Sequence, residues 1–151
     1  MLQGTTGEFG GKMFDQVIPR IKVCFEIYGS ELSFEEITNS IGIQPTQTRL
    51  KKDFPIASQD AGVASDRWQY VIDYQESMSM SEIIEQLVDL FQTTTLQILS
   101  IKQKFNAKCL IIVSVQAHET WMPCMTLSER CIDFAHKISS PIDFDIYCYS
   151  D

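Results

Sequence analysis

The sequence predicts an α+β fold: a largely antiparallel sheet with helices on one face, in the ferredoxin-like order βαββαβ followed by αβ. Stretches of period-two apolar alternation predict the strands, and apolar residues spaced by three and four behind serine or threonine caps predict the helices. These two kinds of stretch interleave along the chain with no internal repeat and no low-complexity linker. At 151 residues, a single domain buries about two-thirds of its unfolded surface, enough for a core without disulfide or metal staples.

Residues 1–16 hold Gly4, Gly7, Gly10 and Gly11 and no sustained periodicity, so they are expected to form a flexible lead-in to a single domain over residues 17–151. From Arg20 to Tyr28, Ile21, Val23, Phe25 and Ile27 alternate with Lys22, Cys24, Glu26 and Tyr28, the pattern of a half-buried strand. Ser33 and Glu36 stand at capping-box spacing before a helix with Phe34, Ile37 and Ile41 on one stripe. Gly42 suits the left-handed position that closes it, and Pro45 prevents its resuming. A short strand is expected over Thr46–Lys51 and a long loop between Lys52 and Asp66.

Trp68, Tyr70, Ile72 and Tyr74 then alternate with Gln69, Val71 and Asp73, a third strand whose aromatic side is expected to meet the core. Ser79 and Glu82 cap a helix carrying Ile83, Ile84, Leu87, Val88 and Phe91, and a further helical segment over Leu96–Phe105 follows the break at Thr93-Thr94-Thr95. Lys108–Gln116 is apolar on both faces, which predicts a central strand covered on both sides. Thr126 and Glu129 mark a last helix with Leu127, Cys131, Ile132, Ala135 and Ile138 inward. The chain ends on Ile142, Phe144, Ile146 and Cys148 alternating with Asp143, Asp145, Tyr147 and Tyr149.

Twenty acidic against 12 basic side chains give a net charge of -8. That sign opposes attraction to nucleic acid or anionic lipid and favours a basic partner. The longest apolar run, Cys109–Val113, is far short of the roughly 20 residues of a membrane span. Met1–Gly7 lacks the basic and apolar regions of a secretory signal, and the five cysteines are an odd number that fall mostly inside apolar patterns. A cytoplasmic protein with free thiols is the expectation.

The segment Ile41-Gly42-Ile43-Gln44-Pro45-Thr46-Gln47-Thr48, Trp68, and the ending Ile142-Asp143-Phe144-Asp145-Ile146-Tyr147 together resemble the bacterial domain-of-unknown-function family 4279, in order and spacing from about Ile21 to Tyr149. The chain has Lys51-Lys52-Asp53 where such members commonly show a glycine-aspartate pair. The resemblance implies the fold and brings no activity, cofactor or catalytic residue with it.

Tested one by one, the chemistry-bearing residues yield no catalytic or metal site. Cys124, Cys131, His118 and His136 lack the C-x-x-C pair that fixes two thiolates on one turn of a zinc site, and nothing near any cysteine marks a lowered thiol pKa. Asp143 and Asp145 share a strand face and offer paired carboxylates, but two oxygen-bearing side chains are too few for a hard cation. Arg49, Lys51 and Lys52 form a basic cluster before the long loop. Trp121 sits in a loop, either tucked beneath it or exposed as an anchor. Arg49, Lys51, Lys52, Trp121, Asp143 and Asp145 are therefore the candidate contacts with a partner or ligand. The expected function is non-catalytic binding of another protein, of the immunity type that neutralises a basic partner, with no cofactor, nucleic acid or membrane involved. The alternative is a small-ligand binder or enzyme with a pocket near residues 52–66.

Overall fold

A computed structural model describes residues 18–150. The expected lead-in over residues 1–16 lies outside them. The elements, in chain order, are β1 Arg20–Gly29, α1 Phe34–Ile41, β2 Gln47–Arg49, α2 Ile56–Asp60, β3 Asp66–Glu76, α3 Met80–Phe91, α4 Thr95–Phe105, β4 Lys108–His118, α5 Glu129–Lys137 and β5 Ile142–Tyr149. The strands form one five-stranded sheet in the order β2-β3-β1-β4-β5. Every neighbouring pair is antiparallel except β4 and β5, which run parallel through the helical connection α5.

The α+β class and the mostly antiparallel sheet are as expected. The ferredoxin-like order is not reproduced as such. The helix α2 and a 3-10 turn over Lys51–Asp53 occupy the expected loop, and β5 extends the sheet in parallel. Gln59 organises the inserted turn by donating its side-chain amide to the carbonyls of Lys52 and Phe54.

Helix ends follow local chemistry. The hydroxyls of Ser33 and Ser79 accept from the N–H groups of Glu36 and Glu82 at 3.3 and 3.4 Å. Neither glutamate returns the bond: Glu36 instead takes Lys104 Nζ at 2.6 Å, tying α1 to α4. Gly42, at φ +80°, closes α1 by donating its N–H to Thr38. The cap of α5 is Ser128, which accepts from Cys131 N–H, and not Thr126; a helix begun two residues later turns Ile132 outward and Phe134 inward.

One face of the sheet carries the core. Ile21, Val23, Phe25 and Ile27 of β1 and Cys109, Ile111, Val113 and Val115 of β4 are buried beneath Ile37 of α1, Leu87 and Phe91 of α3, Ile98 of α4 and Phe134 of α5. Each such aliphatic or aromatic side chain contributes about 1.5–3 kcal/mol on burial. Trp68 is fully buried, edge-on to Phe25 and Phe91 with centroids 6.4 Å away, and its Nε1–H donates to Thr38 Oγ1 at 3.0 Å.

Two expectations about faces are corrected. Register shifts between Ile21 and Val23 against β3, so the side-chain alternation of β3 slips. Gln75 consequently meets Gln86 of α3, while Tyr74 leaves the core and lies on the helix-free face under Arg20 and Lys22, at 5.2 and 4.9 Å from its ring centre. β4 is central but covered by helices on one side only; Leu110 and Ile112 are half-buried among their sheet neighbours.

Candidate functional site

The helix-free face is polar and divided by charge. On its β2–β3 side Arg49 and Arg67 are register partners, and Arg49 stacks on Phe54 at 3.8 Å with Arg67 at 5.0 Å from the same ring. Glu26 of β1, almost wholly buried, accepts from Gln69 Nε2 at 2.6 Å and faces Arg67 at 3.7 Å. Its carboxylate thus holds the centre of the face together and is not presented to solvent. Beside it Val71, Cys24 and Ile112 line up across three strands. Burial pushes the Cys24 thiol up to about 12, with Glu26 adding to the rise, and burial pushes Cys109 on the core side up to about 12 as well. Neither thiol is set up as a nucleophile at neutral pH.

The opposite end of the same face is anionic. Asp143 pairs with Ile112 and Asp145 with Ser114, so both carboxylates project from the helix-free side of β5, followed there by Tyr147 and Tyr149. All four are exposed. Phe144, Ile146 and Cys148 point to the helix side, yet they are not enclosed there: Phe144 is 42% and Ile146 46% exposed. Only Ile142 joins the core margin. Sequence alternation found the residues but not their exposure, because nothing in the pattern says that this strand is an edge.

Trp121 is half-buried in the tight turn that follows β4, where its N–H donates to the His118 carbonyl at 2.9 Å. The His118 ring stands edge-on to Tyr149 at 5.8 Å, and Glu119 N–H reaches Tyr149 O at 2.9 Å. The structure therefore brings the Trp121 turn to the end of β5, the strand that carries Asp143 and Asp145. It does not bring Arg49, Lys51 and Lys52 there: β2 and β5 are opposite edges of the sheet, about 19 Å apart at ordinary strand spacing. The basic cluster instead borders an open groove of about 400 Å³ lined by Leu50, Lys51, Lys52, Gln59 and Asp66. Asp66 is committed to the backbone, its two oxygens accepting from Leu32 N–H at 3.0 Å and Lys51 N–H at 2.7 Å. Trp68, wholly interior, does not line the groove.

Among the described residues no group of three or more histidine, cysteine or acidic side chains converges to hold a metal ion, and no helix is long and apolar enough to cross a membrane. No curated protein and no solved structure matches the chain. Residues 19–149, nearly the whole described fold, match the family described as domain of unknown function DUF4279, and the chain belongs to that family.

Proposed function

We propose that the protein is a non-catalytic, cytoplasmic protein-binding domain of the immunity type, which neutralises a basic partner through the anionic, aromatic edge at β5. The observation that carries this reading is the composition of that edge: Asp143 and Asp145 beside Tyr147 and Tyr149 on one face, and Phe144 and Ile146 exposed on the other. Tyrosine and exposed apolar side chains give an interface its contact area, and carboxylates choose the sign of the partner. The net charge of -8 extends the same preference over longer range and speeds encounter. Five free cysteines suit a reducing compartment.

The test is charge reversal on an interaction recovered from the native host. Asp143→Lys with Asp145→Lys is expected to weaken binding of the recovered partner at least about tenfold and to slow association more than it speeds release. Affinity of the unaltered protein is expected to fall as salt rises, since exposed charges are screened within about 10 Å at 0.1 M. A partner held equally well by the reversed variant sinks the assignment to β5.

A second reading rests on the groove beside Lys51 and Lys52, which fits a small anionic ligand. Isothermal titration with phosphorylated metabolites, compared between the unaltered chain and Lys51→Glu with Lys52→Glu, tests it. Equal heats from the two proteins would remove it.

A further inference from the structure

The backbone of β5 deepens the proposed function, on which the following step rests. Ile111 N–H donates to Pro141 O at 3.2 Å, and Glu119 N–H to Tyr149 O at 2.9 Å. In a parallel ladder those bonds fix which residues turn their main-chain groups toward β4: the odd-numbered ones, from Pro141 to Tyr149. Phe144, Ile146 and Cys148 accordingly direct their N–H and C=O groups away from β4, to the open side. Among the described residues none of them takes part in a backbone bond outside the ladder. Natural edges are commonly blunted by lysine, proline, a bulge or short length. β5 runs eight residues, Ile142–Tyr149, without lysine, arginine or proline, in unbroken register with Ile111–His118. The other edge, β2, is three residues long.

We propose that the partner docks by adding a strand to this edge, through an extended segment whose side chains alternate cationic and apolar. Period two forces that chemistry. On the helix-free face the incoming side chains lie beside Asp143, Asp145, Tyr147 and Tyr149, where a lysine or arginine meets a carboxylate and a tyrosine ring. On the other face they lie beside Phe144 and Ile146, where an apolar side chain covers exposed apolar surface. Main-chain bonds supply affinity and the alternating side chains supply selectivity. A second copy of the chain fits less well, because it brings its own Asp143 and Asp145 and a further charge of -8. Residues 1–17 fit less well too: they hold Lys12 against Glu8 and Asp15, with no cationic and apolar alternation.

The experiment uses the full chain and a capped peptide of alternating lysine and valine, read by fluorescence anisotropy and amide chemical shifts. Its controls are a peptide of the same composition in two blocks and one N-methylated at every second residue, prepared in both phases. The alternating peptide is expected to bind at least about tenfold more tightly than the block peptide, and N-methylation in one phase only to abolish binding. Ile146→Pro removes an outward N–H and no ladder bond, so it is expected to keep the fold and lose the peptide. Should that variant misfold, the N-methylated pair still decides.

A block peptide that binds as well as the alternating one, or equal binding by the N-methylated peptides of both phases and the unmethylated one, overturns strand addition. The acidic-edge reading survives that result if Asp143→Lys with Asp145→Lys loses the peptide, and falls with it if the reversed variant still binds. No binding of the alternating peptide at millimolar concentration overturns the proposal. So does a dimer in sedimentation that Ile146→Pro dissolves, or binding that appears only after residues 1–17 are removed.

Discussion

Removing the Trp68 indole is expected to be the most damaging single truncation in the core. Trp68→Ala empties a fully buried site, forfeits two edge-on ring contacts and leaves the Thr38 hydroxyl without its indole donor. Large aromatic-to-alanine changes in packed cores cost about 3–5 kcal/mol, a large share of the 5–15 kcal/mol or so that holds a domain folded. Because that variant can fall below the threshold for purification, Trp68→Phe and Thr38→Val give the graded series. Trp68→Phe keeps most of the apolar contact and loses the hydrogen bond, an expected cost of about 1–2 kcal/mol. Thr38→Val keeps the indole and strands its N–H, about 1–3 kcal/mol. The double variant is expected to cost less than the sum, by roughly 1 kcal/mol, since the two changes remove one interaction. Urea unfolding followed by far-ultraviolet circular dichroism reads all of these, and in a Trp121→Phe background the Trp68 fluorescence of the chains that keep the indole is expected to be blue-shifted in the native state. A midpoint unmoved by Trp68→Phe, a red-shifted native emission, or strict additivity of the pair would refute the placement of the indole.

Gly42→Ala is expected to destabilise by about 1–2 kcal/mol through backbone strain alone, since φ is +80° and an added Cβ meets nothing within 4 Å; Gly42→Asn should cost less, and equal costs in thermal melts would argue against a left-handed cap. Cys124 and Cys148 are exposed and Cys24, Cys109 and Cys131 buried, so a thiol reagent on native protein should modify the first two quickly and the others only on unfolding. Deleting residues 1–16 is expected to leave a single cooperative transition, because the family match starts at residue 19 and the strand partners of β1 are β3 and β4; loss of that transition would show that the segment contributes to the fold. The buried thiols also set an alkaline limit. Cys24 and Cys109 favour the neutral form in the folded state, at about 12 against 9.0, so their contribution is complete below pH 9 and is lost as pH rises toward 12. Stability measured across that window should fall more gently, by about 1.4 kcal/mol per pH unit, when Cys24 is replaced by alanine.

Most of the elements were legible because their signals are local. Ser33, Ser79 and Gly42 act within a few residues of themselves, and the alternation of β1 needs only a sheet with one covered face. What the sequence left hidden depends on partners distant in the chain. The slip in β3 arises where its register against β1 shifts, and it alone decides that Tyr74 sits with Arg20 and Lys22 while Gln75 faces α3. Similarly, Arg49 is readable as a basic strand residue, but its stacking on Phe54 requires the intervening 3-10 turn at Lys51–Asp53 to fold back over β2. Ser128 displaced Thr126 as a cap for a comparable reason: both offer a hydroxyl, and only Ser128 stands where the Cys131 N–H begins the helix.

The candidate site shows the same division more sharply. Asp143 and Asp145 were readable as a same-face pair, and Trp121 as a loop aromatic; that the Trp121 turn lies at the Tyr149 end of the strand carrying the two aspartates is a product of the parallel β4–β5 pairing and the His118–Tyr149 contact. The exposure of Phe144 and Ile146 has its cause in α5. That helix joins β4 to β5 but leans toward α3, where Arg130 bonds Glu85 at 3.0 Å and Asp89 at 2.6 Å. Its buried residues, Cys131, Phe134 and Ala135, serve the core, and Phe144 and Ile146 of β5 stay partly exposed. A solvated edge needs no apolar alternation, since polar residues there cost nothing in the interior. β5 nonetheless keeps isoleucine, phenylalanine, isoleucine and cysteine in strict alternation with aspartate and tyrosine. A strand so patterned on both faces, and enclosed on neither, has the chemistry of an inner strand in the position of an outer one, and a further strand at its open side resolves that mismatch.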